Sequence, residues 1–295
     1  MTRDIKLAYF KVHFAVLLFG FTGILGSLIH LNAEVLVMWR ALISAAFILI
    51  ILQWDKSYHP WQWSKAIRFL GIGIIVALHW WCFYGSIKLA NSSVAMICLA
   101  TIPFFTALFD SLISKQKLHR LDLYFAVLVL PGVFFIVNDL NQIFFWGFIV
   151  GILASVFSGL FSALNKKFIH EARPMEITFY ELCTVFIVMG MVSLIQSFFS
   201  LKSNFIPSTL DWGYLLILSI VCTVIAYVLS LSAMKHLSAF TTMFAYNMEP
   251  VYGILISVLI LKEHKNLEKS FFIGAFWILT VVFIHSFIAF RKKDS

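Results

Sequence analysis

The sequence predicts an all-α polytopic membrane protein with ten transmembrane helices, and three observations support that fold class. Of the 295 residues, 61% are hydrophobic and only 12% are charged, whereas soluble domains are roughly 45–50% apolar and about 25% charged. Apolar stretches such as 14–29 and 271–290 are far longer than the roughly ten-residue alternating strands of a membrane barrel. A helix needs roughly 20 apolar residues to cross a hydrocarbon core, so ten spans with short loops fill the chain.

Hydropathy and turn residues divide the chain into these spans. They are 8–29, 34–53, 66–87, 92–114, 122–138, 144–168, 176–199, 211–234, 238–261 and 268–290. The first span follows a basic lead that contains Arg3, Lys6 and Lys11 and therefore resembles a secretory signal. Its apolar run is longer than a typical signal core of roughly 7–15 residues, so we expect a retained first span.

The positive charges predict the orientation, because cytoplasmic loops of membrane proteins are rich in Lys and Arg. One set of alternating loops and span ends carries sixteen of these residues: Arg3, Lys6, Lys11, Lys56, Lys65, Arg68, Lys115, Lys117, Arg120, Lys166, Lys167, Arg173, Lys235, Arg291, Lys292 and Lys293. The other set carries five: Lys88, Lys202, Lys262, Lys265 and Lys269. Both termini are therefore predicted to be cytoplasmic. The net charge of +8 thus indicates a lipid bilayer around the protein, and we expect no nucleic-acid partner.

An internal repeat relates the two halves of the chain. At an offset of 147 residues, span four aligns with span nine through six identical pairs: Lys88 and Lys235, Met96 and Met243, Pro103 and Pro250, Leu112 and Leu259, Ile113 and Ile260, and Lys115 and Lys262. Each half would hold five spans, and because five is odd, the second half enters the membrane from the opposite side. Inverted repeats of this kind are typical of secondary transporters that open a central site to alternate faces.

Several short motifs, in this order and spacing, resemble the EamA-type branch of the drug/metabolite transporter superfamily over nearly the whole chain. They are Trp39-Arg40-Ala41, Tyr84-Gly85-Ser86 with Lys88, Thr101-Ile102-Pro103, Tyr246-Asn247-Met248-Glu249-Pro250 and Leu261-Lys262-Glu263. Two departures occur at helix ends, where Gln116 replaces the usual Glu and Lys262 replaces a glycine. The resemblance implies two five-helix repeats, residues 1–140 and 141–295, in a multi-pass protein of the cell inner membrane.

The resemblance further implies a secondary transporter that works by alternating access. We expect an exporter or exchanger of a small amphipathic metabolite, either an amino-acid-like compound or a drug-like molecule. The alternative is a lipid or lipid-linked sugar flippase of the same superfamily, which would favour a laterally open groove. No catalytic set and no phosphate-binding loop occurs, so we expect no enzyme and no cofactor. The four cysteines form no CxxC pair, and we expect no metal site. Monomer and homodimer both remain open.

The first group of candidate substrate-binding residues lies in span nine. Tyr246, Glu249, Pro250 and Gly253 share one helical face, and an ionisable side chain in a bilayer requires a polar environment. A proline lacks an N–H and leaves one helical carbonyl without a donor, so Pro250 predicts a helix break at a cavity. Pro103 predicts the same in span four. The alternative for Glu249 is a structural contact with a neighbouring helix.

A second group lies in the other spans. Arg40 and Glu181 are intramembrane charges at opposite depths, and each is either a binding group or a structural one. His79, Trp80 and Tyr84 line span three, where His79 suits proton coupling and the rings suit an aromatic wall; ordinary packing is the alternative. Three further polar candidates, with interhelical hydrogen bonding as their alternative, are Asn165, Tyr227 and Asn247. Glu263 is expected to face Lys262 and Lys265 locally.

Overall fold

The computed structural model of the chain describes residues 3–54, 63–115, 120–138, 142–199, 205–237, 242, 245–246 and 248–291. Within this part of the chain the regular elements are all helical, without a strand. The α-helices are α1 (Arg3–Leu28), α2 (Ala33–Trp54), α3 (Trp63–Leu89), α4 (Ser92–Leu99), α5 (Ile102–Ser114), α6 (Arg120–Asn138), α7 (Gln142–Phe168), α8 (Pro174–Phe199), α9 (Thr209–Leu216), α10 (Ala226–Met234), α11 (Met248–Ile260) and α12 (Lys269–Arg291). A π-helical segment, Ile217–Ile225, joins α9 to α10, and a 3₁₀ turn, Glu263–Asn266, follows α11.

The protein is a multi-pass membrane protein. Among the described residues, seven helical stretches are long and apolar enough to cross a membrane. Their outward surface is apolar: the side chains of Trp54, Phe198 and Phe199 are each more than four-fifths exposed. An apolar surface of this kind is unfavourable in water but favourable against lipid chains. The helical backbone is also compatible with lipid, because its polar groups form hydrogen bonds within each helix. The predicted helical class is thereby confirmed.

The predicted break in span four occurs between α4 and α5. Asn91 caps the start of α4 by accepting a hydrogen bond from the Val94 amide, and Ala100 and Thr101 separate α4 from the next helix. Pro103 lies in the first turn of α5, where a missing N–H removes no hydrogen bond. Ser155 of α7 donates to the Cys98 carbonyl at the break, at 2.7 Å. The Cys98 carbonyl also accepts from the Thr101 amide and hydroxyl, so both α7 and the break itself satisfy this backbone group.

The π-helical segment is a second local irregularity, and it changes which groups face α2. Thr223 donates its hydroxyl to the carbonyl of Leu218, five residues earlier, at 2.7 Å. The carbonyl of Ser219 accepts a hydrogen bond from Ser44 of α2 at 3.0 Å. A π-helix commonly marks a functional site because it turns side chains and carbonyls away from the regular helical positions.

Glu263 corrects one expectation from the sequence. Its carboxylate accepts hydrogen bonds from the backbone amides of Ser92 and Ser93 at 3.1 and 2.9 Å, and from the Ser93 hydroxyl at 2.6 Å. It therefore caps the N-terminus of α4 rather than pairing locally with Lys262 and Lys265. The first amides of a helix have no partner within the helix and carry partial positive charge, so they attract a carboxylate more strongly than exposed lysines do.

The two lysines that the repeat aligns occupy the same unusual backbone conformation. Lys115 follows α5 with φ 53°, and Lys262 follows α11 with φ 54°. This left-handed conformation favours glycine at helix C-termini, and a side chain there costs roughly 1–2 kcal/mol. The sequence departure at Lys262 thus falls on a position whose backbone explains the usual glycine.

Candidate functional site

A central cavity of about 60 Å³ lies where helices from both halves of the chain meet. Two of its lining residues carry opposite charges, Arg40 and Glu249, and most of the others are aromatic or aliphatic. The remaining lining residues are Phe19, Thr22, His79, Trp80, Phe83, Leu99, Ile102, Ser158, Phe161, Thr223, Tyr227 and Tyr246. The cavity can therefore contact a molecule that has both charged and apolar parts.

Arg40 of α2 is held rigidly at one wall. Its Nε donates to the Thr223 hydroxyl and its Nη1 donates to the Tyr84 hydroxyl, both at 2.7 Å. The guanidinium carbon lies 3.7 Å from the centre of the Trp80 ring, a distance at which a cation is attracted to an aromatic face. The side chain is only 3% exposed. These contacts together fix the plane of the guanidinium group. Thr223 and Tyr84 bind Nε and Nη1, not Nη2.

Glu249 lies at the beginning of α11, and Pro250 follows it. Its carboxyl group is buried, and within the described part of the chain it makes no ion pair. Tyr246, one turn earlier, contacts the Ser230 hydroxyl through its own hydroxyl and packs edge-on against Phe19. The structure therefore brings the predicted Tyr246–Glu249 face to the cavity.

The three candidates of α3 separate into different roles. Trp80 and His79 line the cavity, while the ring of Tyr84 is fully buried behind it against Phe83. The His79 ring makes a hydrogen bond through Nδ1 with the Ala154 carbonyl at 2.8 Å and packs against Phe161. Its environment thus matches the packing alternative for a buried histidine.

Glu181, Asn165 and Tyr227 form a separate polar cluster beside the cavity. Tyr227 donates to Glu181 Oε2 at 2.5 Å, and Asn165 Nδ2 donates to the Tyr227 hydroxyl at 3.2 Å. Only Tyr227 reaches the cavity; Glu181 and Asn165 are not among the residues that line it. Both of these side chains have no exposed surface. The cluster and the Arg40 network are therefore distinct.

Several cavity residues were missed by the sequence reasoning. Thr223 binds Arg40 directly, and Thr22 and Ser158 add hydroxyl groups to the wall. Each is a single small polar residue in an apolar helix. The same pattern occurs where a hydroxyl only forms a hydrogen bond to its own helix, so it does not identify a cavity residue. No pattern in the sequence predicts the π-helical segment that orients Thr223. Asn247, a predicted candidate, lies outside the described residues.

A second pocket of about 330 Å³ lies to the side, between α5, α6, α7 and α12. It is lined by Pro103, Phe125, Phe148, Ile152 and Val282, with His285 at one wall. Apolar side chains make up most of its surface, in contrast to the charged central cavity. The predicted helix break at Pro103 therefore borders this lateral pocket, whereas its neighbour Ile102 faces the central cavity.

Comparison with known proteins gives one consistent result. The model of the EamA-like transporter family matches residues 6–138 and again 145–289. Relatives include an uncharacterized transporter, YyaM, of Bacillus subtilis, 25% identical over 74% of each chain. Another is the pseudopaline exporter CntI of Pseudomonas aeruginosa, 27% identical over 57% of each chain. A solved crystal structure shares the fold with a TM-score of 0.66 and 16% identity, covering 96% of this chain and 98% of the other.

Proposed function

This chain belongs to the EamA-like transporter family, and from that premise we propose that it is a secondary transporter that exports or exchanges a small amphipathic metabolite. Its similarity to a named exporter supports outward transport. The function requires a small-molecule substrate and a bilayer, and it requires neither an enzymatic step nor a cofactor. The proposed substrate site consists of side chains of this protein alone.

The observation that carries the proposal is the pair of opposite charges in one aromatic cavity. Arg40 is fixed at the cavity wall by Thr223 and Tyr84, and an arginine binds a carboxylate strongly. Glu249 lines the same cavity without an ion pair in the described chain, and it suits an ammonium group. Trp80, Phe83 and Phe161 supply apolar and aromatic contacts. The complementary substrate is a zwitterion with an apolar side chain, in other words an amino-acid-like compound.

The central cavity, at about 60 Å³, is smaller than typical ligand pockets of roughly 300–1,000 Å³. We therefore expect the cavity to widen when it binds an amino-acid-like substrate. Alternating access would provide such a change, because it opens a central site to either face in turn.

The proposed architecture is two inverted five-helix repeats, residues 1–140 and 141–295, with both termini in the cytoplasm and the protein in the inner membrane. Three observations support it: the double family match, the left-handed caps at Lys115 and Lys262, and matched tyrosine contacts. The last are Tyr84 with Arg40 and Tyr227 with Glu181, which join equivalent spans in the two halves.

Proteoliposome exchange of radiolabelled L-phenylalanine tests this function. Phenylpropionate lacks the amine and phenylethylamine lacks the carboxylate, so both should compete weakly against unlabelled L-phenylalanine. Glu249→Gln should reduce exchange and narrow the preference over phenylpropionate, since it removes the charge that selects an ammonium group. Unchanged flux in both Glu249→Gln and Arg40→Ala would overturn the assigned site.

The lateral pocket favours a second candidate function, a lipid or lipid-linked sugar flippase. Its 330 Å³ of largely apolar space suits an acyl chain better than a zwitterion. Val129→Trp fills this pocket without changing the central cavity. A flippase would lose movement of a fluorescent phospholipid across the proteoliposome bilayer in this variant, whereas a metabolite transporter would keep L-phenylalanine exchange and show no such lipid movement.

A further inference from the structure

Glu181 is a buried carboxyl group whose two oxygens have different surroundings. Oε2 accepts the Tyr227 hydroxyl proton at 2.5 Å. Within the described residues, Oε1 has no hydrogen-bond partner, and neither does the amide oxygen of Asn165. The Asn165 side chain lies beside the carboxyl. One buried carboxylate oxygen therefore lacks a hydrogen-bond partner within the described residues, and buried polar groups without partners are rare in native structures.

No positive charge compensates Glu181 in the described part of the chain. On α2, which packs against α8, the Arg40 guanidinium is held by Thr223 and Tyr84. On α3, which also packs against α8, the His79 ring is bonded to the Ala154 carbonyl.

Three polar neighbours of Glu181, one each on α7, α8 and α10, carry no charge. Tyr227 of α10 offers a phenol and Asn165 of α7 an amide, and on α8 itself Tyr180 stacks on Phe69. An ionised carboxylate without a cation is strongly disfavoured at such a depth.

A single proton on the carboxyl resolves both features. A proton bound at Oε1 neutralises the buried charge, and the hydroxyl that it forms does not require a donor as a carboxylate oxygen does. Tyr227 continues to donate to Oε2 in either form. The reaction is reversible binding of one proton to one carboxylate oxygen, with no other bond made or broken.

The position of Glu181 suits exchange of that proton during transport. It lies seven residues from the start of α8 at Pro174, about 10 Å along the helix. Tyr227 separates it from the central cavity, because the same phenol binds Glu181 and lines that cavity. Movement of Tyr227 during opening would connect the carboxyl to water in the central cavity.

We propose that Glu181, with Tyr227 and Asn165, is a proton-binding site that couples transport to a proton gradient and does not itself bind the substrate. This inference rests on the proposed transport function. It assigns Arg40 and Glu249 to the substrate and Glu181 to the proton. Wild type should therefore transport faster when a pH gradient is imposed, whereas a variant without an ionisable group at 181 should not respond.

The transport test compares L-phenylalanine movement with and without a pH gradient across full-length protein in liposomes. We expect a severalfold stimulation in wild type, and a ratio near one in Glu181→Gln, which keeps the side-chain size. Glu249→Gln serves as the matched control, since it should lower both rates and keep their ratio. Stimulation that persists in Glu181→Gln, or exchange without any stimulation in wild type, would overturn the proton site.

A second readout does not depend on the substrate and separates the two proposals. Infrared spectra of the purified protein in liposomes at neutral pH should contain the C=O stretch of a protonated carboxyl group. That band should disappear in Glu181→Gln and shift in Tyr227→Phe, which removes the hydrogen bond to Oε2. If L-phenylalanine is not exchanged, the assigned substrate class fails while this band still decides the proton site. Identical wild-type and Glu181→Gln spectra in this region would overturn it.

Discussion

Two buried ionisable side chains in this protein, Arg40 and Glu181, each contact a tyrosine on a neighbouring helix, yet their surroundings differ. Arg40 of α2 bonds to Tyr84 at 2.7 Å, and Glu181 of α8 bonds to Tyr227 at 2.5 Å. Arg40 also has the Thr223 hydroxyl and an aromatic face, and it lines the cavity. Glu181 is fully buried behind its tyrosine, and one of its oxygens has no hydrogen-bond partner among the described residues.

Equivalent pairs of helices can therefore hold ionisable side chains for different purposes. A permanent cation that is fixed at a cavity wall suits recognition of a substrate, because its geometry is set before binding. A carboxyl that is separated from that cavity by one phenol can change its protonation without direct contact with substrate. A tyrosine on equivalent spans thus supports a binding group in one half and, as we propose, a proton site in the other.

The largest effect is expected when the guanidinium group of Arg40 is removed. Arg40→Ala should lower L-phenylalanine exchange on the order of 100-fold, since hydrogen bonds to charged groups contribute about 1.5–3 kcal/mol each. Arg40→Lys keeps the charge but cannot reproduce the planar fork and stacking, so it should show a smaller loss. Initial exchange rates in proteoliposomes measure both. Equal rates in Arg40→Ala and wild type would contradict a substrate-binding role.

A second prediction concerns the backbone that supports Glu181. A Cβ added at Gly73 of α3 would lie 2.7 Å from the Glu181 carbonyl oxygen and 2.9 Å from its Cα. Gly73→Ala should therefore lower the free energy of unfolding by about 1–3 kcal/mol, the usual effect of overpacking. Gly71→Ala is the matched control on the same helix, where nothing lies within 4 Å, and it should not lower stability. Thermal unfolding in detergent compares the two variants.

A third prediction compares Tyr84, which binds Arg40, with Tyr227, which binds Glu181. Tyr84→Phe removes one bond to Arg40 and should slow exchange about tenfold, as expected for roughly 1.5 kcal/mol. It should keep the ratio of rates with and without a pH gradient. Tyr227→Phe should instead lower that ratio, because it alters the group that separates Glu181 from the cavity. Equal changes of the ratio in both variants would show that the two tyrosines do not have separate roles.

The smallest effect is expected at His79, the other titratable group that the sequence suggested for proton coupling. Its bond to the Ala154 carbonyl contributes about 1 kcal/mol of stability. His79→Leu should lose about that much in thermal unfolding, while the ratio of rates with and without a gradient stays at its wild-type value. A ratio that falls to one in this variant would transfer the coupling role from Glu181 to His79.

The helical class and much of the candidate site were predictable because they depend on local composition. The predicted span 144–168 agrees closely with α7, and the predicted break at Pro103 lies at the start of α5. Arg40 and Glu249 stood out because charges are rare in apolar helices. Glu263 was misassigned, since its partners at the α4 N-terminus are about 170 residues away in the chain.

The amino-acid sequence alone is enough to predict that this protein crosses a bilayer as a bundle of helices, and its motifs are enough to predict the transporter family. Both follow from composition and from the order of residues along one chain. Only the tertiary structure decided that Arg40 and Glu249 share a cavity while Glu181 lies behind Tyr227. It also decided that Thr223 binds Arg40. Those outcomes depend on helix packing and on a π-helical turn, which set distances between residues that are remote in sequence.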